Sequence, residues 1–275
     1  MLPAWRPLAC LAATALTLAT PGEAVAEEVD VYAAGSLRTL VAALHDRAAA
    51  MGMDVKATFG GSGSLRDRIE NGETADLLLS ADMASPAALA ASGRALLPPI
   101  AFARNRMCLV ARQSLRLAPA NMIETLLEKT IRIKTSEPIA DPSGDYAMAM
   151  FDLMDRASPG AAQALRAKSS GLWHMSAPSI SPGGNATAAL FEAGLIDVAV
   201  TYCSGSEAIV RAGTDLVALP VPARFAPRPL FGLALLSARP AAARFALLLL
   251  SQEGQAAVRK AGLIPLLDQP LPDRS

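Results

Sequence analysis

The chain has 275 residues, a length that suits one large domain or two modest ones and not an array of small modules. Its 25 Lys and Arg balance 25 Asp and Glu, so no global field draws it to nucleic acid or to an anionic membrane surface. With 52% hydrophobic and 18% charged residues it can build a sizeable core and is not a disordered chain, and at 4% aromatic that core is Ala, Leu, Val and Ile.

At the N-terminus Arg6 precedes an uncharged stretch with the apolar run Leu8–Ala19, followed by Ala24-Val25-Ala26. This order of charged region, apolar region and small-residue site reads residues 1–26 as a signal peptide cleaved after Ala26. The apolar run is short against the roughly 20 residues that span a bilayer, and no later run is long and apolar enough. Export permits disulfides, and past the leader only Cys108 and Cys203 remain. Both lie in or at the end of apolar, strand-like runs, so one bridge and two separately buried thiols both stay open. No C-x-x-C spacing occurs and only His45 and His174 are available as co-ligands, which argues against a metal site on these thiols.

The first predicted strand is Val29–Ala33, followed by Ala34-Gly35-Ser36 and then Leu37, Leu40, Val41 and Leu44 at helical spacing. The pattern repeats with Val55–Phe59, the loop Gly60-Gly61-Ser62-Gly63-Ser64 and a helix from near Leu65. It repeats again with Leu77–Ser80, a turn at Ala81-Asp82 and a helix from about Ser85. Pro98-Pro99 breaks the rhythm; Arg106–Ala111 is the next strand and Ile131–Thr135 begins a second series. A loop over Ser136–Asp145 opens onto a helix at Tyr146–Met154, and a loop over Ser179–Gly184 opens onto a helix from Asn185 to Ala193. Ile196–Tyr202 is a strand, and Ser204-Gly205-Ser206 starts a further helix. The prolines at 220, 222, 227 and 229 mark a second crossing, after which Leu230–Leu236 is a strand and Pro240–Ala261 is helical with an interruption near Ser251–Gly254.

Strands alternating with helices predict α/β architecture with mainly parallel sheets. The two crossings predict two lobes, residues 27–104 with 224–275 forming one and residues 105–223 the other, with a ligand cleft between them. Small or hydroxyl residues recur where strands hand over to helices: Gly35-Ser36, Gly61-Ser62-Gly63-Ser64, Pro142-Ser143-Gly144 and Gly183-Gly184-Asn185. Free N–H groups at a helix start, the positive end of the helix dipole and serine hydroxyls together suit an oxyanion. Each junction alone is an ordinary cap. Tyr202 ends a strand of the second lobe, where its phenol either faces the cleft or packs in the core. Asp141 and Asp145 flank Ser143, and capping or solvent exposure is their default. A serine-type hydrolase is the weaker reading: the nucleophile-elbow pattern fails after Gly60-Gly61-Ser62-Gly63, no phosphate-binding loop occurs, and neither histidine sits on an obvious catalytic loop.

The segments Val31-Tyr32-Ala33-Ala34-Gly35-Ser36-Leu37, Phe59-Gly60-Gly61-Ser62-Gly63-Ser64-Leu65 and Ala75-Asp76-Leu77-Leu78-Leu79-Ser80-Ala81-Asp82 together resemble the periplasmic molybdate-binding proteins of ABC transporters. Asp141-Pro142-Ser143-Gly144-Asp145-Tyr146, Val200-Thr201-Tyr202 and Ser251-Gln252-Glu253-Gly254-Gln255-Ala256-Ala257 follow in the same order. The resemblance implies a two-lobed periplasmic binding protein of the second type. It would close on molybdate or tungstate, deliver it to an inner-membrane permease, act as a monomer, and need no cofactor and no catalysis. It further implies that Ser36 and Ser62 donate from hydroxyl and backbone, that Ser143 and Gly184 donate backbone N–H groups beside Asn185, and that Tyr202 supplies its phenol. Asp141, in a segment similar to the archaeal tungstate-binding branch, is by the same resemblance a candidate carboxylate ligand to the metal centre of the oxyanion. Ser143 stands where a small apolar residue is common in the family, and Gly184 replaces a larger one. The same fold holding a different anion or a small organic solute is the alternative.

Overall fold

The computed structural model describes residues 26–177, 180 and 184–266. The expected leader, up to residue 25, and most of the Ser179–Gly184 loop lie outside the described residues.

The chain opens with β1 (Glu27–Ala34), a single 3-10 turn over Gly35–Leu37, α1 (Arg38–Ala50), β2 (Met53–Gly60), α2 (Ser62–Glu70), β3 (Leu77–Ser80), α3 (Ala84–Ala91) and β4 (Ile100–Arg104). It then crosses into β5 (Met107–Arg112), α4 (Met122–Leu127), β6 (Ile133–Lys134), α5 (Pro142–Asp155), α6 (Ala161–Ser170), α7 (Ala186–Glu192), β7 (Val198–Tyr202), α8 (Cys203–Ala212) and β8 (Leu216–Pro220). It returns through β9 (Leu230–Leu235), α9 (Pro240–Leu250), α10 (Gln252–Lys260) and β10 (Ile264–Pro265).

These strands form two sheets, one ordered β10-β4-β9-β3-β1-β2 and one ordered β6-β7-β5-β8. The α/β class stands, but the sheets are mixed rather than mainly parallel. Only β1 with β2, β1 with β3, and β6 with β7 run parallel; β9 is antiparallel to both β3 and β4, and β5 is antiparallel to both β7 and β8. The cause is the double crossing. β4 carries the chain out of the first sheet and β9 carries it back, so neighbours on the two sides of a crossing must point in opposite directions.

The inner strands are apolar on both faces, as a sheet covered by helices on both sides requires. Val29, Val31 and Ala33 of β1 and Leu77 and Leu79 of β3 face the larger core, while Tyr32 and Leu78 face a smaller one. In the second sheet Met107, Leu109 and Ala111 of β5 face the larger core and Val110 the other side. Four aromatic residues form a ladder from one sheet to the other. Phe102 packs edge-on against Phe231 at 6.3 Å, Phe231 against Tyr202 at 5.3 Å, and Tyr202 against Tyr146 at 6.2 Å. This ladder carries packing from β4 and β9 into β7 and α5. Between α9 and α10 the Ser251 side chain caps Gly254 N–H, which makes the expected interruption a break between two helices.

Cys108 and Cys203 form a disulfide that fastens β5 to the first residue of α8, immediately after Tyr202. No helix among the described residues is long and apolar enough to cross a membrane.

Candidate functional site

A cavity of about 300 Å³ lies where the ends of β1, β2 and β7 meet the starts of α5, α7 and α8. From the first sheet come Gly35, Ser36 and Gly61; from the second come Ser143, Asn185 and Tyr202, with Asp141 beside them. No Lys, Arg or His lines it among the described residues. The helices α2, α5 and α8 all begin at its wall, so their positive ends are turned toward it.

Two of its polar groups are unused by the protein. The Ser36 hydroxyl and the Tyr202 phenol are buried and have no hydrogen-bond partner among the described residues. An unpaired buried hydroxyl costs about 1–3 kcal/mol, so a pair aimed at one cavity is an arrangement that a hydrogen-bond acceptor would relieve. Burial, aided by Asp141 and then Tyr146, holds the Tyr202 phenol well above its usual range, and it stays a donor across the physiological span.

Of the other expected contacts, Ser143 and Asn185 line the cavity and Ser62 and Gly184 do not. Ser62 is fully buried, and its hydroxyl accepts a hydrogen bond from Ala81 N–H at 3.0 Å, which ties the start of α2 to the end of β3. It stands behind the cavity wall, where Gly60 and Gly61 take the surface position instead. Ser143 does line the cavity, but its backbone N–H donates to Asp141 Oδ1 at 3.0 Å. Asn185 also lines it, with Oδ1 accepting the Thr187 and Ala188 N–H groups as the cap of α7. Gly184 is exposed and is not part of the lining.

Asp141 is the cap of α5, with Pro142 at the first helical position. Burial raises its carboxyl above the ordinary value; the Ser143 N–H and the Ser136 hydroxyl pull it down, and Asp82 pushes it up again. No group of three His, Cys, Asp or Glu that could hold a metal ion occurs among the described residues. A second negative charge brought to about 4 Å from an ionised Asp141 would meet a repulsion of about 4 kcal/mol at an effective dielectric of 20.

Sequence reasoning passed over Ser136, Thr187 and Thr201, which also line the cavity. Thr201 and Ser136 lie at or just past the ends of β7 and β6, and that position was the available signal. Beside them, Trp173 donates its indole N–H to the Thr135 hydroxyl at 3.0 Å. Neither His45 nor His174 reaches the cavity: their side chains are 61% and 81% exposed, and His174 Nδ1 lies 3.6 Å from Glu137.

The two sheets' loops touch directly beside the cavity. Ser64 N–H donates to the Ala140 carbonyl at 3.1 Å. A Cβ at Gly63 would lie 1.7 Å from the Ile139 carbonyl oxygen, and one at Gly61 would lie 2.3 Å from that of Ala140. Only glycine permits so close an approach of two backbones.

Residues 29–264 match the family described as bacterial extracellular solute-binding protein. The chain belongs to that family. As a member it is an extracellular solute-binding protein, of a family that binds solutes rather than transforming them. An uncharacterized protein of Pasteurella multocida is 30% identical over 217 residues, covering 78% of this chain and 88% of that one. The sulfate-binding protein SubI from Mycobacterium tuberculosis superposes with a TM-score of 0.71 at 19% identity, covering 87% of each chain. The periplasmic molybdate-binding protein of Azotobacter vinelandii gives 0.65 at 18% identity, over 89% of this chain and 100% of that one. At such identities these structures share the two-lobed fold of this solute-binding protein, and their ligands are their own.

Proposed function

We propose that this solute-binding protein is exported to the periplasm, works as a monomer without catalysis, and captures a tetrahedral oxyanion, molybdate or tungstate, for the permease of an ABC importer. The observation that carries the reading is the pair of hydroxyls without a partner among the described residues, Ser36 from the first lobe and Tyr202 from the second, in a cavity that no cationic side chain of those residues lines. Neutral donors from both lobes satisfy an anion without a counter-charge, and helix starts add favourable potential. A ligand bridging Ser36 and Tyr202 also links the lobes, so binding and closure are one event. Molybdate and tungstate come from the sequence resemblance, and both are dianions of the size and shape that two such donors and a ring of backbone can surround.

The test is thermal unfolding of residues 27–275 in sodium molybdate, tungstate, sulfate and phosphate at matched ionic strength. At 100 times its dissociation constant a ligand stabilises the native state by about 2.7 kcal/mol, a clear upward shift in Tm. Shifts with molybdate and tungstate alone support the reading. No shift with any of the four removes it, and the search then moves to other anions and to small organic solutes.

A further inference from the structure

The cavity is not lined by donors alone, because Asp141 is part of its lining with Ser36, Ser143 and Tyr202. Among the described residues, the groups around Asp141 give it no counter-charge. From the turn after β3 comes Asp82, from α5 Asp145, and from the end of β7 Tyr202. β1, β2 and α8 contribute only neutral residues to the lining. Glu137, in the loop before α5, is turned to His174, and Arg66 of α2 is paired with Asp67 and bears on Asp145. One carboxyl oxygen caps α5 through Ser143 N–H. A dianion admitted beside an ionised Asp141 would place three negative charges in one cavity without a cation.

We propose that the cleft binds its oxyanion together with one proton, held between the Asp141 carboxyl and a ligand oxygen. The inference rests on the oxyanion reading above and adds a specificity rule to it: the carboxyl accepts from an oxyanion that arrives protonated, or donates to one that arrives fully ionised. In the second case, that of molybdate near neutral pH, the proton comes from solvent and binding is proton-coupled. The burial that raises the Asp141 carboxyl prepares it for that role. Asp141 is thus the residue that sets how affinity depends on pH, while Ser36 and Tyr202 set whether an anion is held at all.

The experiment is titration calorimetry of the intact exported chain with sodium molybdate and with sodium tungstate from pH 6 to 9. Each titration is run in two buffers of different ionisation enthalpy, so that protons taken up per anion are counted. The expected result is close to one proton at the alkaline end and an affinity that falls about tenfold per pH unit there. Asp141→Asn keeps an amide oxygen to cap α5 and loses the ionisable group; its proton count falls to near zero and its pH profile flattens. Tight binding by the natural chain with no proton uptake overturns the inference and leaves the oxyanion reading intact, as does a pH slope that persists in Asp141→Asn. Absence of binding at every pH overturns the oxyanion reading itself, and the inference falls with it.

Discussion

Gly63→Ala isolates closure from folding. Gly63 lies in the first turn of α2, where alanine is favoured over glycine by up to about 1 kcal/mol. The added Cβ would stand 1.7 Å from the Ile139 carbonyl oxygen and 2.9 Å from its carbon, against backbone that cannot rotate aside. Relief requires the Ile139–Asp141 loop to withdraw from α2, which breaks the 3.1 Å bond from Ser64 N–H to the Ala140 carbonyl. A lost hydrogen bond and a forced gap together cost this pairing of the two loops about 1–3 kcal/mol, which is about 5- to 150-fold in affinity for any ligand whose binding requires it. Calorimetry with molybdate reads the affinity, and thermal unfolding of the ligand-free chain checks that the fold is kept. Unchanged affinity in a well-folded variant would show that the contact between the Gly61–Ser64 and Ile139–Asp141 loops plays no part in binding, and the reasoning would be refuted.

Three further outcomes are expected. Tyr202→Phe removes a buried phenol that has no partner, so the ligand-free chain keeps or raises its Tm, while molybdate-induced stabilisation shrinks by about 1–3 kcal/mol; a fall in ligand-free Tm with full ligand response would place the phenol's role in the core. Replacing Cys108 and Cys203 together by serine opens a cross-link between residues 95 apart, and urea unfolding is expected to show about 2–4 kcal/mol less stability, with unchanged midpoint as the contrary result. Glu73 accepts from Arg68 and from the Tyr32 hydroxyl, and these bonds lower its carboxyl from 4.5 to about 2. Its contribution is therefore whole above its unfolded value and is lost as pH falls through about 2, so the carboxylate resonance of Glu73 in an NMR titration stays ionised at pH 3.

The first three strand-and-helix units were legible because each carries an apolar run, a small-residue junction and a helical repeat in immediate succession. The junction residues were legible for the same reason: Ser36, Ser143, Asn185 and Tyr202 all reach the cavity. Ser62 has the same local pattern and turns inward, because its partner, Ala81 N–H, is supplied by a turn 19 residues later, which no local reading contains. Strand direction was hidden likewise. Leu230–Leu235 reads as an apolar strand in either orientation, and only its position between β3 and β4 makes it antiparallel. β4 escaped notice behind Pro98-Pro99, and β8 because Leu216–Pro220 is short, edges its sheet and ends in proline. The disulfide followed from neither spacing nor run, since it depends on β5 and β7 pairing so that Met107 lies opposite Tyr202.

The hydrogen bond from Trp173 to Thr135 makes the protein its own optical instrument. Trp173 is the sole tryptophan among the described residues, and its partner adjoins Ser136 on the cavity wall. An indole fixed there by one bond, partly exposed, responds in emission colour and intensity to small changes in the wall it leans on. Occupancy of the cleft can then be followed in real time on the unlabelled chain, with no dye to disturb its surface.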